Sequence, residues 1–138
     1  MKYLLDVNAL IAFGVIQHQF HQRVVNWIQS ERGSIFLTTS VTEIGFVRVV
    51  ASVPAYGLDV VRAKSLLLGM KANKAQPLTL LPDGSDISAL PPWVKTPAQV
   101  TDGHLLNLAK NNGAVLATLD KGIPGAYLVP SRTQPMRN

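Results

Sequence analysis

The sequence predicts an α/β domain with a central, mainly parallel sheet of four to five strands flanked by helices. Two observations carry that expectation. Short apolar runs alternate with longer segments whose apolar residues recur at helical spacing, and such alternation implies parallel strands joined by crossover helices. The runs are also apolar at successive positions, as strands buried on both faces are. The chain has 138 residues, 47% hydrophobic and 15% charged, which reads as one domain, 1–138, with a substantial core.

Tyr3–Leu5 is the first strand, ended by Asp6 and Asn8, and Leu10, Ile11 and Phe13 then follow at helical spacing. From His18 to Arg32, Phe20, Val24, Trp27 and Ile28 fall on one face of an amphipathic helix, closed by Gly33. Ile35–Leu37 is a second strand. Ser40-Val41-Thr42-Glu43 fits a capping box opening a helix to about Ser52, before Pro54. A helix over Leu58–Lys71 and a strand over Leu78–Leu81 come next. The stretch from Pro82 to Pro97, rich in Pro, Gly and Asp, reads as a long connection with one helical turn. Thr101 is placed as the N-cap of a helix to Asn111, Ala114–Leu119 as a fourth strand and Tyr127–Val129 as a short fifth. The chain from about 131 to 138 reads as a loose tail.

The absence of cysteine rules out disulfides and thiolate metal sites. No apolar run approaches the ~20 residues of a membrane span. The N-terminus lacks the order of a secretory signal, so a cytoplasmic protein without a membrane partner is expected. The net charge of +5 suits a polyanion such as nucleic acid. With only eight acidic residues, each one in an apolar setting needs a reason.

Four of the eight are placed by the pattern. Asp6 ends the first strand, and Glu43 lies just past the second, in the first turn of the next helix. Asp102 begins a helix that runs about 15 Å away from the sheet edge. The fourth strand returns by roughly 16 Å, so Asp120 comes back level with Asp102. Singly, Glu43 reads as half of a capping box, Asp102 as a helix-dipole residue and Asp120 as a turn former. Together with Asp6 they meet at the carboxyl edge of the sheet, where open α/β folds bind ligands. Converging carboxylates repel, and protons or a divalent cation must offset them. Oxygen donors without His or Cys suit Mg²⁺ or Mn²⁺, and on a basic protein that set fits phosphodiester hydrolysis by metal-activated water.

Leu4-Leu5-Asp6-Val7-Asn8, Thr42-Glu43-Ile44-Gly45-Phe46-Val47-Arg48, Gln99-Val100-Thr101-Asp102 and Leu116-Ala117-Thr118-Leu119-Asp120 occur in that order along the chain. In this ordered set the sequence resembles the PIN-domain ribonucleases, specifically the VapC-type toxins of bacterial toxin–antitoxin pairs. The resemblance implies a three-layer PIN-like fold and an Mg²⁺- or Mn²⁺-dependent endoribonuclease acting on RNA. It also implies a homodimer and a cognate VapB-like antitoxin. By position, Asp6, Glu43, Asp102 and Asp120 would be the catalytic, metal-holding quartet, with Asn8 and Thr118 as supporting polar groups. Gly103-His104 stands where similar sequences often have Ala-Tyr, so Gly103 should loosen the helix start and His104 adds a phosphate contact. Lys121 and Arg48 are further candidates for substrate contact. His18 and His21, three residues apart, read as surface residues because no third ligand is spaced near them.

Two other readings compete. A non-catalytic PIN-like module binding RNA or protein would typically lack one of the acids. A Mg²⁺-dependent phosphatase or phosphoacceptor domain also sets an Asp after the first strand, but usually with a second acid at the place of Asn8.

Overall fold

In the computed structural model, which describes residues 1–131, β1 (Lys2–Leu5) decides the layering. Side chains alternate along a strand, so Tyr3 and Leu5 point to one face and Leu4 to the other. Tyr3 and Leu5 join Phe36, Leu78 and Ala117 under α1 (Val7–Gly14), α2 (His21–Ser30), α3 (Ser40–Ser52) and α4 (Val60–Lys71). Leu4 joins Leu37 and Leu116 under Leu105, Leu108 and Ala109 of α5 (Val100–Asn111). The result is three layers, helices on either side of a sheet. Trp27 anchors the thicker layer, edge-on to Tyr3 at 4.9 Å and to Phe36 at 5.4 Å.

The other strands are β2 (Ile35–Thr38), β3 (Leu78–Leu80), β4 (Val115–Thr118) and β5 (Tyr127–Leu128). All pairings are parallel and the order is β3-β2-β1-β4-β5. The chain winds outward from β1 in one direction through β2 and β3, then in the other through β4 and β5. The crevice between β1 and β4 is therefore the topological switch point, where ligands bind in open α/β sheets. Leu5 is level with Ala117, and the Asp6 N–H continues the ladder to the Ala117 carbonyl at 2.9 Å.

Several boundaries differ from the sequence expectation, each for a local reason. The helix expected from His18 starts at His21, because the His18 ring Nδ1 accepts the Phe20 N–H at 3.0 Å and the chain turns there. Phe20 consequently drops off the buried face, leaving Val24, Trp27 and Ile28. The capping box is Thr39/Thr42, one residue earlier than Ser40/Glu43: Thr39 has the extended backbone of a cap, and its N–H reaches Thr42 Oγ1 at 3.0 Å. Asp59 caps α4, accepting the Arg62 N–H at 2.8 Å, so that helix starts at Val60. Thr101 is inside α5 rather than its cap, because a 3-10 turn over Pro97–Gln99 feeds straight into the helix from Thr96. The long connection carries another 3-10 turn at Ile87–Ala89. From residue 132 onward the expected tail lies outside the described residues.

Candidate active site

Asp6 sits where β1 becomes α1, and that junction holds both of its oxygens. As N-cap it accepts the Val7 N–H through Oδ1 at 2.8 Å, while Thr118 Oγ1 donates to Oδ2 at 2.8 Å. Its exposure is 6%. Burial pushes its pKa up, the Thr118 and Val7 bonds pull it down, and the charge of Asp120 raises it further.

Thr118, fully buried at the end of β4, is the hub of the crevice. Its hydroxyl donates to Asp6, accepts the Asp120 N–H at 3.0 Å, and lies 3.3 Å from Asn8 Nδ2. Asn8 Oδ1 accepts the Leu119 N–H at 3.1 Å. Asn8 and Thr118 thus tie the carboxyl ends of β1 and β4 together and fix the two aspartates that follow. Asp120 is exposed and folded into a turn, with Oδ1 accepting the Gly122 N–H at 2.8 Å.

Asp102 enters from the first turn of α5, half-buried. Its pKa is raised by burial, then by the charge of Asp6, then by that of Asp120. The three aspartates therefore share one electrostatic environment. Among the described residues, no three His, Cys, Asp or Glu side chains stand close enough to hold an ion as they are. The donor chemistry nonetheless fits a hard divalent cation: carboxylates whose charges burden one another are relieved by it, and no imidazole or thiolate competes.

Glu43 reaches the same edge by a different route. Gly45 lets α3 approach α1 closely, since a Cβ there would meet Val7 Cγ2 at 2.8 Å. The Thr39/Thr42 box frees Glu43 from any capping task. Its Oε2 instead accepts from Thr38 Oγ1 at 2.5 Å and from Lys71 Nζ at 2.7 Å.

Of the other candidates, Lys121 is exposed in the turn directly after Asp120. Arg48 lies further along α3, beside a groove of about 540 Å³ between α3 and α4 that Glu43, Ile44, Val47, Lys64 and Leu68 also line. His104 is turned to Asp83, which bonds its Nε2. Gly103 does not simply loosen the helix: a Cβ there would fall 2.3 Å from Val94 Cγ2 and 3.3 Å from Pro91 Cδ. The Gly103-His104 pair is thus where the 82–99 connection docks on α5. His18 and His21 form no metal pair: His18 belongs to the turn, and His21 Nδ1 meets the Ala12 carbonyl at 2.7 Å. Lys71, Thr38 and Asp83 were not among the site residues expected, and no local spacing marks them.

No family model matches the chain. It is 34% identical over 122 residues to ribonuclease VapC38 of Mycobacterium tuberculosis, covering 87% of this chain and 86% of that one. Ribonuclease VapC44 of the same organism is 34% identical over 139 residues, covering 91% and 94%. Among solved structures, the Mycobacterium tuberculosis VapC20 toxin, which cleaves the sarcin–ricin loop, superposes with a TM-score of 0.66. That match covers 93% of this chain and 99% of that one at 11% identity, and so speaks for the fold alone.

Proposed function

The chain belongs to the VapC ribonucleases, PIN-domain toxins, and on that premise we propose that its endoribonuclease activity depends on a divalent cation held at the β1/β4 crevice and is restrained by a VapB-like antitoxin. The observation that carries the proposal is the mutual charge burden of Asp6, Asp102 and Asp120 at the switch point of the sheet. These three would hold Mg²⁺ or Mn²⁺, with Glu43 beside them. Bound there, the cation would make water acidic enough to attack at neutral pH and offset charge developing on the phosphate.

The protein's own part is positioning. Asp6 is fixed through both oxygens by Val7 and Thr118, and Asp120 by the Thr118 and Gly122 contacts, so neither has to be ordered when RNA arrives. Lys121, exposed in the turn directly after Asp120, would meet the scissile phosphate. A phosphoacceptor is disfavoured because Asn8, committed to the Leu119 N–H, stands where that chemistry usually has a second acid. A non-catalytic module is disfavoured by the presence of all four acids.

The partners follow from the outer layer. Ile44 on α3 is 65% exposed, and Val60, Val61 and Leu68 on α4 are 61%, 71% and 52% exposed. Apolar surface concentrated on adjacent helices favours a two-fold homodimer and a groove for an amphipathic antitoxin segment. An antitoxin Arg entering the carboxylate pocket would compete for the cation's place. The test is to induce the chain without its neighbouring gene product and map RNA 5′ ends in the cell. New 5′-phosphate ends at discrete positions are expected, suppressed when the neighbour is co-expressed. An unchanged 5′-end map would overturn the reading.

A further inference from the structure

Glu43 differs from the three aspartates in having a cation of its own. Lys71 closes α4, four residues beyond buried Leu67, so it shares that helix's inward face and its end reaches the start of α3. A lysine in a last helical turn is favoured by the helix dipole, but that preference does not require a carboxylate partner from another helix. Here Lys71 Nζ lies 2.7 Å from Glu43 Oε2, with the two side chains only 23% and 22% exposed. Thr38 donates to the same oxygen at 2.5 Å. Both bonds fall on Oε2, and neither engages Oε1.

We propose that Lys71 is a positioning residue of the active site, holding Glu43 by one oxygen and matching its charge, so that the aspartates alone recruit the cation. The assignment rests on the metal-dependent reading above. Two consequences separate it from a strut between α3 and α4. Without Lys71 the edge carries one more unmatched negative charge, so a divalent cation binds more tightly. Without Lys71 Glu43 also swings on Thr38 alone, so turnover falls although the fold and RNA affinity persist.

The experiment compares wild type, Lys71→Met, Lys71→Gln and Lys71→Arg, measuring Mn²⁺ binding by calorimetry without RNA, and kcat and KM for RNA cleavage. Lys71→Met should bind Mn²⁺ about tenfold more tightly and lose about tenfold in kcat with KM little changed. Lys71→Gln should follow it. Lys71→Arg, which keeps the charge, should restore both quantities to near wild type. A lowered melting temperature with unchanged Mn²⁺ affinity and kcat would overturn the proposal, as would weaker Mn²⁺ binding. Failure of both neutral variants to fold would also overturn it, since Lys71 would then be a strut. If wild type itself neither binds Mn²⁺ nor cleaves RNA, the metal-dependent reading falls as well. If wild type does both and Lys71→Met matches it, only the role of Lys71 falls.

Discussion

At the scale of single residues, the crevice is held in a costly state that a ligand can relieve. Asp6 and Asp102 both bind protons more tightly in the folded chain than their ordinary value of 3.8 implies. Between that value and their raised folded values, the folded state carries more protons than the unfolded one. Stability therefore falls as pH rises through the window, and the penalty is full above it. In EDTA, these two groups should make the melting temperature climb as pH is lowered from neutral toward that ordinary value. Asp6→Asn should flatten the climb and hold or raise the melting temperature at neutral pH. A profile for Asp6→Asn superimposable on wild type would contradict this account of the site.

At the scale of elements, two of the helix glycines, Gly69 and Gly103, are opposites. A Cβ at Gly69 in α4 meets nothing within 4 Å, so Gly69→Ala should stabilise by up to about 1 kcal/mol through helix propensity. At Gly103 the Cβ would fall 2.3 Å from Val94 Cγ2, and a β-branched side chain has little freedom to retreat. Gly103→Ala should therefore destabilise by about 1–2 kcal/mol despite the same propensity gain. Urea unfolding of the two variants checks both signs. This contrast also marks how far sequence reading reaches. The positions of Asp6, Asn8, Asp102 and Asp120 were legible because each stands at or near the junction of two elements that local pattern reveals. The Glu43–Lys71 pair spans 28 residues and the Asp83–His104 pair spans 21, so their meeting depends on how helices and loops dock. Likewise Ser40/Glu43 satisfies the capping-box pattern, yet the backbone turns one residue earlier, at Thr39.

At the scale of the molecule, the fold sets the β1/β4 crevice and an exposed apolar face on adjoining sides. The crevice opens at the carboxyl end of the sheet, while the exposed apolar residues of α3 and α4 flank the groove that begins at Glu43. A two-fold dimer through these helices should bury more than ~1,000 Å². Light scattering at micromolar concentration should return twice the 14.9 kDa chain mass. A monomer would contradict the dimer and leave the apolar face to the antitoxin alone. The net charge of +5 adds a salt dependence: RNA binding should weaken as ionic strength rises.

The central claim is that Asp6 and Asp102 serve one divalent-cation-dependent cleavage site. The most direct test is RNA cleavage by purified Asp6→Asn and Asp102→Asn proteins in Mg²⁺ or Mn²⁺, beside wild type and with folding verified by circular dichroism. The account predicts that both variants are folded and cleave no RNA, while wild type cleaves and EDTA stops it. Cleavage by folded Asp6→Asn at the wild-type rate would contradict it.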